Sequence, residues 1–500
     1  MSPLQLPPKA ALSAPGPLAA GLLALLAFAG TARGAPGLTL AACELEHPLR
    51  LTVLPAQCGT LEVAEDPARP AGRHIGLRVA RVTAVSRRAA PDPVFVLAGG
   101  PGAAASSFYA SVAAVFARLG RERDIVLLDQ RGTGGSNRLD CPDDAASLTR
   151  TSLADIAAGT QRCLAALSSR ADVGFYTTAL AVADLERVRA ALGYPRINLY
   201  AASYGTRVAQ QYLRRFPQHV RSVILDGVVP VAAALGPRVA LDAERALADI
   251  LARCAGQAPC RAAFGDPAVS YRAVHAALAA RAAPVSVPDP AGGARVSFEF
   301  GAPQLAGVLR LLSYTPEYAA LLPLLLDAGA HADYAPLAAQ FLLAERAYGE
   351  ALATGMHNSV VCAEDVPFWE PRAIDRGRLA ATYMGTTQLD GLATVCRIWP
   401  HGPVDADLHA PLTSAVPALI LSGSDDPATP PEFAREAARS FPHALTLTLA
   451  GFGHGLLTAP CMDRVLAQFV ARASVAGLDT SCTRRAAPLP FFTSVNGPPP

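Results

Sequence analysis

Short apolar runs that stop at glycine or aspartate, each followed by a helical pattern, constrain this chain more than any other feature. Ile75 to Val85 alternates as a half-buried strand does, and Val94-Phe95-Val96-Leu97 is a buried run that stops at glycines. Ile125-Val126-Leu127-Leu128 is another, ending at Asp129 and the loop Gln130 to Ser136. Thr178 to Leu192 is predicted helical and is stopped by Gly193-Tyr194-Pro195. A strand at Ile197 to Ala201, a helix at Tyr204 to Phe216 and a strand at Val220 to Leu225 follow. Repetition of this kind builds an α/β fold, a mainly parallel sheet with helices on both faces. With 51% hydrophobic and 17% charged residues the chain has ample material for such a core, and disorder is excluded.

The rhythm breaks from about Val231 to Pro411, where an alanine- and leucine-rich helical pattern is interrupted only by Pro-Gly stretches near Ala283 to Arg295. It resumes with Ala418-Leu419-Ile420-Leu421, a helix from Pro431, a strand at Ala444 to Leu449 and a helix after Cys461. An insertion placed there is expected to form a helical lid over the sheet's active edge. The expected divisions are a leader at 1–34, a core in two parts at 41–230 and 412–485, the lid at 231–411 and a loose tail at 486–500.

Residues with chemistry gather at three strand ends. Ala202-Ser203-Tyr204-Gly205 lies between a predicted strand and a predicted helix, where a serine on a sharp turn among small neighbours projects its oxygen above the sheet. The bland role for a serine there is a helix cap. Further on, His454 lies in the glycine-framed loop Gly451-Phe452-Gly453-His454-Gly455, flexible enough to bring imidazole to a serine. Its acidic partner is expected in Ser424-Asp425-Asp426-Pro427, where the proline stiffens the loop and favours Asp426 over Asp425. Asp226, at the end of the strand before the insertion, is a third candidate whose bland role is to cap the turn with Gly227. The order serine, acid, histidine is that of a hydrolase triad on an α/β sheet. Ala98-Gly99-Gly100-Pro101-Gly102 can offer backbone N–H groups to a developing oxyanion, Pro101 having none, with Tyr204 N–H as the second donor; Gly100 is the expected partner. No GK[ST] follows, so a phosphate cradle is disfavoured.

The N-terminus reads as an address. Lys9 precedes the apolar run Leu18 to Gly30, of signal-peptide length and short for a membrane span, and small residues follow it. Secretion or export to a periplasm is the expectation. Leu40-Ala41-Ala42-Cys43 has the form of a lipoprotein box, although Arg33 and Pro36 separate it from the apolar run. The ten cysteines are Cys43, Cys58, Cys141, Cys163, Cys254, Cys260, Cys362, Cys396, Cys461 and Cys482, with no C-x-x-C and no metal-type cluster. Five disulfides suit an exported chain; pairing neighbours in order closes local loops, but sequence does not fix connectivity. Without Lys9 and Arg33 the balance is 41 basic to 41 acidic residues, with no basic stripe, so nucleic acid is not an expected partner. No further membrane span is expected.

At this point the sequence resembles the α/β-hydrolases of the prolyl and tripeptidyl aminopeptidase group. The resemblance rests on Gly99-Gly100-Pro101-Gly102, Asp129 to Gly134, Ala202 to Thr206, Asp426 to Pro430, Gly453-His454-Gly455, the segment Ser359 to Asp365 and the pair Cys461 and Cys482. Ala98 and Ala201 depart from it, standing where the group often has histidine and glycine. It implies an exported serine hydrolase without metal or organic cofactor, most simply an aminopeptidase acting on peptides. An esterase or other small-molecule acyl hydrolase is the first alternative, and a non-catalytic binding protein on the same fold the distant one. An aminopeptidase must also hold a charged amine, which calls for a lid carboxylate. Glu364, two residues after Cys362, is the expected one and Asp365 the alternative; the bland reading makes both ion-pair residues. Cys362–Cys396 and Cys461–Cys482 are the pairings expected.

Overall fold

Apolar runs without alternation belong in strands buried on both faces, and β4 (Val94–Leu97), β5 (Ile125–Leu128) and β10 (Ala418–Gly423) are buried at every residue. The computed structural model describes residues 38–142, 152–290 and 292–498. The leader expected at 1–34 lies outside them. In chain order the other strands are β1 (Ala41–Glu46), β2 (Val53–Ala64), β3 (His74–Val82), β6 (Ile197–Ala202), β7 (Val220–Asp226), β8 (Ala283–Pro288), β9 (Arg295–Phe300) and β11 (Ala444–Leu449). Nine of them form one sheet in the order β1-β2-β3-β5-β4-β6-β7-β10-β11. From β5 to β11 every neighbouring pair is parallel. The edge β1-β2-β3 enters antiparallel and joins β5 antiparallel.

Helices cover both faces. Val182, Leu185 and Val188 of the helix Thr178–Ala191 and Val208 and Tyr212 of the helix Tyr204–Arg215 fill one core with Leu199 and Leu225. Phe116, Val465 and Phe469 fill the other face with Val96, Tyr200 and Leu421.

Between β7 and β10 the chain builds the insertion, which has its own core around Leu247, Leu309, Leu326 and Phe341. It is not wholly helical. β8 and β9 pair as an antiparallel hairpin where a Pro-Gly interruption was expected. The signal was period-two alternation, Val285 and Val287 against Val296, Phe298 and Phe300. The segment expected as a loose tail is also docked: Phe491 is buried in the insertion's core under Arg253, and Phe492 N–H donates to Ala320 at 3.0 Å.

All ten cysteines pair with their neighbours in order: Cys43–Cys58, Cys141–Cys163, Cys254–Cys260, Cys362–Cys396 and Cys461–Cys482. Cys43 is thereby bonded within the β1–β2 ladder, so its sulfur is not the free thiol that a lipid anchor requires. Among the described residues no helix is long and apolar enough to cross a membrane.

Candidate active site

Ser203 follows β6 directly and precedes the first residue of the helix Tyr204–Arg215, with φ 53° and ψ −126°. That conformation costs a non-glycine residue on the order of 1–3 kcal/mol and persists only where its surroundings enforce it. Three contacts do so. Ser203 N–H donates to Asp226 carbonyl at 2.9 Å, anchoring the turn to the end of β7. A Cβ on Gly205 would stand 2.6 Å from the carbonyls of both Leu97 and Ala98, and one on Gly99 would stand 2.7 Å from Ser203 Cβ. The glycines therefore allow β4's exit loop and the serine turn to meet backbone to backbone. Ala201, fully buried, sits one place earlier in the ladder opposite Leu97 and Leu225, and its methyl is accommodated there.

His454 lies in the loop after β11, its N–H donating to Tyr314 carbonyl at 2.7 Å and its ring set edge-on to the Tyr314 ring at 5.1 Å. Its Nδ1 faces Asp426, 3.1 Å from Oδ1 and 2.9 Å from Oδ2. With Nδ1 engaged, Nε2 is the nitrogen left for proton exchange. Asp426 is fully buried and also accepts from Ala428 N–H, Thr429 N–H and Thr429 Oγ1, each at 2.7 Å. Burial pushes its carboxyl up, but His454 and those donors outweigh it and hold it below the usual carboxylate range. Burial likewise pushes the His454 imidazole down, and the Asp426 carboxylate overrides that to hold it above its ordinary value. Asp425 points elsewhere, to Ser424 Oγ at 2.6 Å and Arg253 at 3.4 Å. Asp226 accepts from Tyr200 and from Leu456 N–H rather than from the imidazole.

Ser203, Gly100 and Pro101 open into a cavity of about 320 Å³. Gly100 has φ 107° and Tyr204 is the first residue of its helix, whose N–H has no acceptor within that helix. No hydrogen bond joins Ser203 Oγ to His454 directly; such bonds commonly tighten only with substrate in place. The arrangement can present a hydroxyl nucleophile, a base oriented by a carboxylate, and backbone donors at a cavity floor.

Comparison with known proteins agrees with this fold. Residues 92–253 match the family model described as alpha/beta hydrolase fold, and residues 381–482 match the one described as TAP-like protein. The chain is an α/β-hydrolase. It is 32% identical to the tripeptidyl aminopeptidase of Streptomyces lividans over 192 residues, 35% of this chain and 36% of that one, so it aligns with about a third of that relative's length. It is 27% identical to the serine protease Hip1 of Mycobacterium tuberculosis over 460 residues, 83% and 85% of the two chains. It is also 28% identical to the carboxylesterase B of that organism over 435 residues, 80% of each.

In this α/β-hydrolase the structure does not bring Glu364 and Asp365 into the cavity, which corrects the expectation of an amine site there. Glu364 is buried beside the helix Tyr204–Arg215 and caps the helix Thr178–Ala191: its oxygens accept Thr178 N–H and Thr178 Oγ1, both at 2.6 Å. Asp365 receives Arg207 at 2.7 and 3.2 Å and Leu235 N–H at 2.7 Å. Arg207, itself buried, stands 3.6 Å from Glu364 as well. These carboxylates are occupied by the fold, as buried charges must be. Burial raises the Glu364 carboxyl to about 7, against the pull of Arg207 and Thr178.

The cavity wall instead carries Arg310, Tyr314, Glu345, His357 and Gln388, all from the insertion. Sequence reasoning missed Arg310, Tyr314, Glu345 and Gln388. Apart from Arg310 and Tyr314, four residues apart, they come from separate helices. The available signal was an arginine inside the apolar stretch Val308 to Leu312 and a glutamate two turns past Leu337 and Ala338 on a helix's buried side.

Proposed function

We propose that this protein is an exported serine hydrolase that releases short N-terminal pieces from peptides. The observation that carries the reading is Asp426 bonded to His454 Nδ1 beside a serine held at φ 53° on the floor of a cavity. In this reading Ser203 Oγ attacks the scissile carbonyl as His454 Nε2 takes its proton, and Asp426 stabilises the imidazolium. Backbone N–H groups of Gly100 and Tyr204 receive the oxyanion. His454 then returns the proton to the leaving amine, and water, activated by the same imidazole, hydrolyses the acyl-enzyme. No step calls on a metal or an organic cofactor.

One feature favours peptides with a free amine. Glu345, on the helix Ala335–Ala351, lines the cavity and has no ion-pair or hydrogen-bond partner among the described residues. Burial holds its carboxyl above the usual range, as expected of an acid awaiting a cation. The five paired disulfide loops support export, since such bonds persist in oxidising compartments. The likeness to a carboxylesterase over 80% of both chains keeps ester hydrolysis as the second reading.

The test is a panel of N-terminally free and blocked peptides alongside neutral esters, with fluorophosphonate labelling of wild type and Ser203→Ala. Labelling lost in a folded Ser203→Ala, with kcat down roughly 10⁴-fold or more, is expected of a triad serine. Hydrolysis of esters alone would leave the fold's chemistry and remove the aminopeptidase.

A further inference from the structure

The cavity holds a positive charge as well as a negative one, and the two are not paired with each other. Arg310 ends the helix Ala302–Leu312 and is held entirely by neutral groups: Nη1 donates to Gln388 Oε1 at 2.7 Å and Nη2 to Tyr314 Oη at 3.0 Å. It forms no ion pair among the described residues. Many other arginines among the described residues meet carboxylates; this one lines the cavity instead. Arg310 and Gln388 also border a second cavity of about 360 Å³, which Tyr314 does not line. The field of Arg310 reaches the chemistry, disfavouring protonation of both His454 and His357. Of the other titratable groups on the wall, burial lowers the His357 imidazole below its ordinary value, and Glu345 is the sole carboxylate among the described residues.

A half-buried guanidinium at a cavity wall, with two of its five N–H groups committed to neutral acceptors, has three left to offer an anion. Its fork suits a carboxylate. We infer that Arg310 is a specificity residue that binds a carboxylate of the substrate, so that the preferred peptides carry an acidic group near the scissile bond in addition to the amine met by Glu345. The inference rests on the peptidase reading but does not stand or fall with it. Two sources offer the same carboxylate: the side chain of an aspartate or glutamate, or the free α-carboxylate of a short peptide.

The experiment measures preference ratios in kcat/KM, which cancel any general effect on His454 through Tyr314. One arm compares Ala-Ala-Asp with Ala-Ala-Ala as arylamides, which have no α-carboxylate. A second compares a free tetrapeptide of alanine with its C-terminal amide. A third compares nitrophenyl monosuccinate with nitrophenyl butyrate. Wild type is expected to prefer the carboxylate by roughly 10-fold or more in at least one arm, with Arg310→Gln collapsing that ratio towards one and Arg310→Lys keeping part of it. The arm that responds names the source. No preference in wild type, or a ratio unchanged in Arg310→Gln, overturns the proposal. Preference confined to the ester arm keeps Arg310 and removes the peptidase. Calorimetric binding of the same peptides to Ser203→Ala, with and without Arg310→Gln, reads the ratio without turnover, so an inactive preparation still decides it.

Discussion

Asp226 holds the histidine loop by its backbone: its Oδ1 accepts the N–H of Leu456, two residues beyond His454, at 2.7 Å. Its other oxygen accepts Tyr200 Oη at 2.7 Å, so the carboxylate is braced from the sheet. Asp226→Ala is expected to lower kcat/KM by roughly 10- to 100-fold, because small displacements of a catalytic group are costly. Asp226→Asn should recover most of the loss, since its carbonyl oxygen can still accept from Leu456. Full activity in the alanine variant would mean that the Tyr314 contacts alone fix the loop.

The pH dependence follows from His454. Turnover needs a neutral imidazole, and Asp426 holds that group above its ordinary value of 6.5. Activity should therefore rise with pH along a limb in kcat/KM centred above 6.5. In Asp426→Asn the principal countercharge is gone and burial, aided by Arg310, works against Asp226 alone, so the limb should move to lower pH while the maximal rate falls by about 10³- to 10⁴-fold. A limb that stays in place in the variant would assign it to another group.

Glu364 gives a stability prediction of opposite character. Its folded value of about 7 lies above the ordinary 4.5, so the folded state binds the extra proton between those pH values. The corresponding stability is fully present below 4.5 and is lost as pH rises through about 7. Glu364→Gln keeps an acceptor for Thr178 N–H and should remove this slope from denaturant melts taken across the window. Its kcat/KM should change equally for amine peptides and neutral esters, within roughly threefold, as expected of a residue outside the cavity. A loss confined to amine peptides would restore it to substrate binding.

The disulfide framework is checked by counting thiols. The unfolded, unreduced protein should titrate none, and opening Cys461–Cys482, which ties the start of the helix Met462–Arg472 to the C-terminal segment, should cost about 2–4 kcal/mol. Two or more free thiols per chain would contradict the complete pairing.

The central strands and the residues on their ends were legible because both obey local rules. β4, β5 and the first four residues of β10 are continuous apolar runs, β6 and β7 are apolar over most of their length, and Ser203, Asp426 and His454 each lie just past the end of a strand, β6, β10 and β11. The edge strands β1 and β2 were not legible: β2 is largely half-buried and mixed in composition, with no clean alternation. The cavity wall was illegible for a different reason. Arg310, Glu345 and Gln388 meet only through the packing of separate helices, and no spacing along the chain encodes that. Glu364 misled because an acidic residue beside a cysteine says nothing about which way its helix is turned.

The helix Thr354–Glu364 has a consequence for dissecting the molecule. At its start Ala353 N–H donates to Gly102 carbonyl at 3.0 Å, and Leu352 bridges to Ala103. At its end Glu364 and Asp365 grip Thr178 and Arg207. Met356, Val360 and Val361 pack in the sheet's core rather than the insertion's. Cutting the gene at 231 and 411 to obtain a minimal hydrolase, or to exchange substrate range with a relative, would pull a strut out from between both halves of the oxyanion site. A chimera that keeps residues 352–365 with the sheet, and swaps only what lies around them, respects the joints along which this protein is assembled.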